Sequence, residues 1–297
     1  MKRRWLRWSA LAACFVALPA GAVFAWLKHG WFRTQPAETA REIAPGVRYE
    51  RRVKRDAPFR VAHIATVDLD RAEVEFWTTA PADPGAELPF RAQTTSAACR
   101  EAGLLVCVNG DHFAPFHADA LWNWGPKIGE AATTRGPAVA AGKRNEPRER
   151  GYFAKRNCAI SVTADGRFLP GVATNAAVAI SGGPFLVSSG RAIAAAGGER
   201  GPRTCIAYSN SRRRFWMVVI DGRQPRYSEG ATDAELAELT VELGAEVALR
   251  MDGGGSSAMA GAGDDGRTAL LSSPIQLGIP GRERPVANHW GIRGRTK

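Results

Sequence analysis

The sequence predicts an α+β domain, strand-rich, of mixed or antiparallel sheet with a few packed helices. Apolar runs of strand length recur from residue 55 onward, many joined in pairs by compact polar turns. Only two segments carry helical character, and no internal repeat is visible. Hairpins accompanied by so few helices argue for an α+β arrangement.

The elements follow in order. Residues 61–69 alternate well enough for a strand, Asp70-Arg71 makes a turn and residues 74–79 return, which predicts a hairpin. Residues 94–102 read as a helix that leads into 104–108, a continuous apolar strand of the buried kind. Residues 160–162 and 167–169 flank Ala164-Asp165-Gly166 as a second hairpin. Residues 203–208 and 215–220 flank the polar turn 210–213 as a third. Thr232-Asp233-Ala234-Glu235 has capping-box spacing, and Leu236, Leu239 and Leu243 give one apolar face to the helix it opens. That helix hands over to an apolar run, 247–249, which ends at Asp252.

The predicted organisation is a signal peptide or membrane anchor at 1–32, a linker at 33–55, and the folded domain at 56–297. Within the domain, 114–156 lacks periodicity and reads as an irregular insert that could serve as a lid. Trp122 and Trp124 in this insert suit stacking on a sugar face, or a local hydrophobic anchor for the loop.

The N-terminus has basic residues before an apolar stretch, 9–27, and Ala20-Gly21-Ala22 offers a small-x-small cleavage pattern. The same stretch approaches the ~20 residues that span a bilayer. Cleaved or retained as an anchor, it predicts an exported body, periplasmic or extracellular. The chain carries 40 Lys and Arg against 29 Asp and Glu, a formal charge of +11, which favours anionic partners. Five of these charges (Lys2, Arg3, Arg4, Arg7, Lys28) flank the leader, so the body is nearer +6. Its basic residues are scattered and no recognition motif accompanies them, which argues against nucleic acid. Of the five cysteines, Cys14 lies in the leader; Cys99, Cys107, Cys158 and Cys205 leave three disulfide pairings open. None has zinc-site spacing, and Cys107 and Cys205 lie in apolar runs as small core residues would. Oligomeric state has no sequence signal.

The most informative stretch is Arg250-Met251-Asp252-Gly253-Gly254-Gly255-Ser256-Ser257, where an apolar run delivers a carboxylate into three glycines and two hydroxyls. Such a loop can turn successive amides toward phosphate oxygens, with Ser256 and Ser257 as added donors. Four further motifs join it: Asn109-Gly110-Asp111-His112-Phe113 at the end of the buried strand, Ser181-Gly182-Gly183-Pro184-Phe185, Gly201-Pro202-Arg203-Thr204-Cys205, and Arg284-Pro285-Val286-Ala287-Asn288-His289-Trp290-Gly291. In order and content the five resemble the phosphodiester glycosidase domain, the family of the uncovering enzyme and its bacterial relatives, over roughly residues 56–294. The resemblance implies an α+β fold and hydrolysis of a sugar-1-phosphodiester, with the sugar released and the phosphate left on the other partner. His112 stands where many relatives carry an aromatic, and His289-Trp290 where smaller residues are usual, which points to an altered pocket shape.

The chemistry assigns roles to these positions. Breaking the anomeric C–O bond expels a phosphate monoester whose remaining proton has a pKa of about 6, so the leaving group needs little protonation. The site must hold a charged phosphate and stabilise an oxocarbenium-like sugar. Arg203 and Arg284 are the expected phosphate clamps, aided by the amides of Gly253, Gly254, Gly255 and Ser256 and by Ser257. Asp252 and Asp111 are the expected catalytic carboxylates, one as base or nucleophile and the other orienting water or sugar hydroxyls. Asn109 and Asn288 are expected to position groups by hydrogen bonds. No cofactor is required and no metal ligand set is predicted. His112 and His117 lack further ligands, and an oxygen-bound cation such as calcium at Asp264-Asp265-Gly266 has no support beyond the acidic turn. Two rivals stand beside this reading. One is a serine hydrolase at Ser256 or Ser257, although Gly-Gly-Gly-Ser-Ser is not a nucleophile elbow. The other is a non-catalytic module that binds anionic glycopolymers or assists exopolysaccharide assembly at the envelope.

Overall fold

The computed structural model describes residues 21–23, 33–120, 123–149 and 151–295. The predicted signal or anchor at 1–32 falls almost wholly outside these, as does Trp122. Among the described residues no helix is long and apolar enough to cross a membrane.

The described chain is strand-rich, and its strands pair antiparallel. The largest sheet has eight strands in the order Thr39–Ala44, Val47–Lys54, Arg60–Asp68, Arg214–Ile220, Arg203–Ser209, Val247–Arg250, Phe185–Ser188 and Arg191–Ala192. A five-stranded sheet follows the order Thr268–Leu270, Met259–Ala262, Val106–Asn109, His289–Gly294 and Val74–Thr78. A second five-stranded sheet runs Lys143–Asn145, Ala138–Ala140, Ala176–Ser181, Ala159–Thr163 and Phe168–Pro170. Smaller ribbons join Phe90–Arg91, Ala131–Thr134 and Phe113–Ala114, and pair Ala118–Ala120 with Asn123–Trp124.

The layering follows from strand alternation. Ile206, Tyr208, Phe215, Met217 and Val219 point from the large sheet into a core shared with Val106, Val108, Trp290 and Ile292 of one five-stranded sheet and Ile160 and Ile180 of the other. The alternate residues Cys205, Ala207, Trp216, Val218 and Ile220 point the opposite way, beneath Leu236, Ala237 and Leu239 of the helix Asp233–Leu243. Burial on both faces is why these strands read as unbroken apolar runs rather than alternating ones. The helix begins with the expected capping box, with Thr232 and Glu235 bonding reciprocally, and ends at Gly244 in the left-handed region at φ 94°. Such a cap contributes about 1 kcal/mol. The shorter helix Thr95–Glu101 packs Cys99 against Cys107, Leu104 and Ala260 on the other sheet.

Three expectations are corrected. Residues 33–55 are not a linker: Thr39–Ala44 and Val47–Lys54 are paired strands, the second in register with Arg60–Asp68 from Val47↔Val67 to Lys54↔Arg60. Their charged side chains hid them, because only Val47 and Tyr49 of the inner strand reach full burial. Arg60–Asp68 and Val74–Thr78 are not a hairpin either; the chain turns a corner at 69–73 and the two strands enter different sheets. The insert 114–156 is not irregular throughout, since Ala131–Thr134 and Ala138–Ala140 join sheets through small residues that leave little hydrophobic signal. The hairpins at 160–169 and 203–220 form as predicted. Cys99, Cys107, Cys158 and Cys205 are all free and buried, and burial pushes the Cys99 thiol up to about 12.

Candidate active site

Two sheets end at the same place and are tied together there. Val106–Asn109 runs into Gly110-Asp111-His112, and Val247–Arg250 runs into Met251-Asp252-Gly253. Asn109, fully buried, holds the junction: its Nδ2 donates to the Asp252 carbonyl at 2.7 Å, and its Oδ1 accepts from Thr204 Oγ1 at 2.8 Å and from the Ala258 amide at 3.2 Å. The Asp252 amide in turn donates to the Gly110 carbonyl at 3.0 Å. An amide side chain spent on three protein groups positions others, so Asn109 is the clamp between the two carboxylate-bearing loops. Asn288, also fully buried, does the same for Gly110-Asp111. Its Oδ1 accepts from the Asp111 amide at 2.9 Å and its carbonyl from the Gly110 amide at 2.9 Å. Gly110 must be glycine because a Cβ there would collide with Asn288.

The two carboxylates have different surroundings. Asp111 is 2% exposed, and its oxygens accept from the amides of His112 and Gly136, each at 2.7 Å. Asp252 keeps 18% of its side chain open, with Oδ1 accepting from the Gly253 amide at 2.9 Å. Between them stands His112, its Nδ1 3.6 Å from Asp111 Oδ1 and its Nε2 3.6 Å from Asp252 Oδ1. Burial pulls this imidazole toward neutrality, but the Asp111 and Asp252 carboxylates outweigh that pull, so its pKa lies above the ordinary histidine value. Sequence reasoning assigned His112 no catalytic role. Its signal was the neighbouring acid at the end of a buried strand. Asp111, one of the two expected catalytic carboxylates, faces His112.

The glycine loop also differs from expectation. The amide of Gly253 bonds Asp252, that of Gly254 the Pro202 carbonyl at 3.0 Å, that of Ser256 the Gly253 carbonyl and that of Ser257 the Gly254 carbonyl. With the 3-10 turn at Gly254–Ser256, four amides of the loop are thus spent on protein acceptors and not offered to an anion. The glycines serve a different close approach: a Cβ at Gly255 would lie 2.5 Å from Arg284 Nη2 and 2.8 Å from Gln276 Oε1. Arg284 lies flat on this loop. Its Nε donates to Gln276 Oε1 at 2.7 Å, its Nη1 to Ser256 Oγ at 3.2 Å, and its Cζ sits 4.9 Å from the Phe116 ring centre. Burial lowers its pKa, Arg223 pushes the same way and Asp252 opposes both. Gln276, which had no sequence signal, also donates to the Trp124 carbonyl at 2.7 Å. Trp124 and Phe116 meet edge to face at 6.1 Å, each 41% exposed, beside Arg284.

Arg203 is corrected as a free clamp. Its Nε donates to Asp233 Oδ1 at 2.9 Å, Nη2 to the Glu199 carbonyl at 2.7 Å and Nη1 to the Pro202 carbonyl at 3.2 Å. Asp233 also holds Arg250, Nη1 to Oδ2 at 2.6 Å. The helix that carries Asp233 therefore fixes both arginines at the rim of the site. Ser256 and Ser257 are each 1% exposed, and among the described residues neither hydroxyl is hydrogen-bonded to an imidazole. His289 and Trp290 are fully buried in the core strand His289–Gly294, so they do not shape a pocket; burial pushes the His289 pKa down to about 4. His117 is paired with Glu130 at 2.6 Å. Among the described residues no three His, Cys, Asp or Glu side chains gather as a metal set, and Asp264, 97% exposed, is paired with Arg41.

The phosphodiester glycosidase family model matches residues 102–293, which spans Asn109, Asp111, His112, Arg203, Asp252, the glycine loop and Arg284. The chain belongs to the phosphodiester glycosidase family. With it, this protein is a hydrolase of glycosidase type that acts on phosphodiester-linked sugars. Its fold is similar to the zebrafish N-acetylglucosamine-1-phosphodiester alpha-N-acetylglucosaminidase catalytic domain auto-inhibited by its pro-peptide. That likeness has a TM-score of 0.61 at 16% identity and covers 90% of this chain and 95% of that one. A putative exported protein from Burkholderia pseudomallei matches with a TM-score of 0.54 at 16% identity, over 79% of this chain and 74% of that one. A hypothetical protein from Synechocystis matches at 0.50 and 15%, over 88% and 64%. No curated protein matches the chain in sequence.

Proposed function

We propose that this chain hydrolyses a sugar-1-phosphodiester in an envelope or extracellular glycan, at a site built from Asp252, His112, Asp111 and Arg284. One observation carries the reading: His112 bridges a buried carboxylate and a solvent-open one, on the same loop floor that supports a half-buried arginine. Asp252 is the carboxylate a substrate can reach, and it acts on the anomeric carbon or on the attacking water. His112 relays the proton, and Asp111 orients the imidazole and stabilises its cation, as the third member of a catalytic relay does. Arg284 binds the phosphate, held by Gln276 and Ser256 so that little side-chain freedom is lost on binding.

The exposed Phe116 and Trp124 rings beside Arg284 suit the apolar face of a pyranose. An exported location is consistent with the basic-then-apolar N-terminus and with the substrate class. The test is hydrolysis of a panel of synthetic sugar-1-phosphodiesters by the full chain, with and without chelator, followed by phosphorus NMR. Free sugar with a phosphate monoester on the aglycone is the expected result. A folded protein that binds anionic glycopolymer but turns over none of the panel would replace catalysis with a binding role.

A further inference from the structure

We propose that Arg223 is the second arm of a dianion-selective phosphate site, working with Arg284 across the glycine loop. Its place in the reaction rests on the function proposed above; its test does not. Each glycine of the loop faces one guanidinium. A Cβ at Gly253 would lie 3.9 Å from Arg203 Nη1, at Gly254 3.3 Å from Arg223 Nη1, and at Gly255 2.5 Å from Arg284 Nη2. Arg203 is already paired with Asp233, which it shares with Arg250. Among the described residues no carboxylate stands within ion-pair distance of either Arg223 or Arg284, whose side-chain partners are the neutral Gln276 and Ser256. Two like charges face one loop, and Asp252 acts on Arg284 only from beyond ion-pair distance, so an anion from solution completes the arrangement.

The backbone of Arg223 adds an independent argument. It sits at φ +57°, a left-handed conformation that is costly for any residue with a Cβ. Its amide donates to the Glu229 carbonyl at 3.3 Å, and the bridge between Gln224 and Ser228 closes the turn behind it. Glycine would sit there without strain. An arginine kept in that conformation, exposed and laid over Gly254, is what a functional side chain held against local preference looks like.

Charge balance gives the pair its purpose. A phosphodiester carries one negative charge. When the anomeric C–O bond breaks, its electron pair stays on the phosphate oxygen and the leaving monoester carries up to two, its second pKa being about 6. Water supplies the hydroxyl to the sugar carbon, and its other proton passes to the Asp252–His112 pair and then to solvent. Two guanidiniums match the charge that appears during cleavage better than the charge of the substrate. Arg223 therefore contributes to kcat more than to KM.

The experiment is calorimetric titration of the full chain at pH 8 with methyl phosphate, a dianion, and dimethyl phosphate, a monoanion. Wild type is expected to prefer methyl phosphate by about tenfold, and Arg223→Gly to lose that preference while binding dimethyl phosphate within about threefold of wild type. Arg223→Lys should retain part of it, since the charge remains without the planar fork. The glycine variant relieves the left-handed strain, so its melting temperature should stay close to wild type, which separates a lost contact from a lost fold. A wild type that does not distinguish the two anions, or an Arg223→Gly variant that still does, overturns the proposal. An Arg223-dependent preference without hydrolysis of any sugar phosphodiester would overturn the reaction above and leave this site standing.

Discussion

His112 Nε2 stands 3.6 Å from Asp252 Oδ1, and Nδ1 of the same ring stands 3.6 Å from Oδ1 of the buried Asp111. A group so placed is drawn toward its cation by both neighbours, and one of those neighbours is open to substrate while the other is not.

The first expected outcome concerns pH. The folded pKa of His112 is raised, so its attraction to the two carboxylates is fully present below the unfolded value near 6.5 and is lost as pH rises through the folded value. Removing Asp111 by Asp111→Asn should lower the His112 titration midpoint and carry the alkaline limb of kcat/KM with it. Histidine NMR titration of both proteins checks this. A wild-type midpoint below that of a free histidine would refute the arrangement.

Asp252→Asn keeps the shape of the loop and removes the reactive carboxylate. Its kcat should fall by about 10²–10⁴-fold while dimethyl phosphate affinity stays within about threefold. Steady-state kinetics and titration on the same preparation decide the matter, because a parallel loss of both would reduce Asp252 to a structural role.

Gly255→Ala drives a methyl into the Arg284 guanidinium and Gln276 Oε1. The obstacle is partly the end of a side chain that can shift, so the stability cost should be about 1–3 kcal/mol, within the overpacking range. Activity should fall by at least about tenfold, since a misplaced arm loses a charge-assisted bond to phosphate. Unchanged turnover in a stably folded variant would mean that Arg284 does not need its present seat.

Behind Arg223 lies a buried network. Asp221, 2% exposed, accepts from His63 Nε2 at 2.9 Å, from Tyr227 at 3.2 Å and from the Ser273 amide at 2.7 Å, and His63 Nδ1 meets Tyr49 at 2.8 Å. Asp221→Ala strands three buried donors and should cost about 3–5 kcal/mol in urea unfolding. A cost below about 1 kcal/mol would show that water replaces the carboxylate.

Legibility in the sequence tracked burial. The helix Asp233–Leu243, the strand Arg203–Ser209 and its partner Arg214–Ile220 were readable because their apolar spacing and caps are local properties. The strands Thr39–Ala44 and Val47–Lys54 were not, because arginines and glutamates cover an edge region of the sheet that composition alone presents as a linker. In the site, Asp252, Asp111, Arg284 and Asn288 were legible from their motifs. The role of Asn109 as a clamp and the commitment of Arg203 to Asp233 depend on partners 143 and 30 residues away.

The sequence by itself determined the family, the strand-rich class, the two carboxylate loops and the arginine motif near the C-terminus, since each is written in contiguous residues. Tertiary structure alone decided which carboxylate is open, that His112 joins the two, and that the glycines seat guanidiniums while the amides of Gly253 and Gly254 are spent within the protein. It also brought Arg223 and Gln276 to the loop. Those outcomes depend on how two sheets converge at Asn109, and convergence is set by long-range packing and hydrogen bonding that no local pattern encodes.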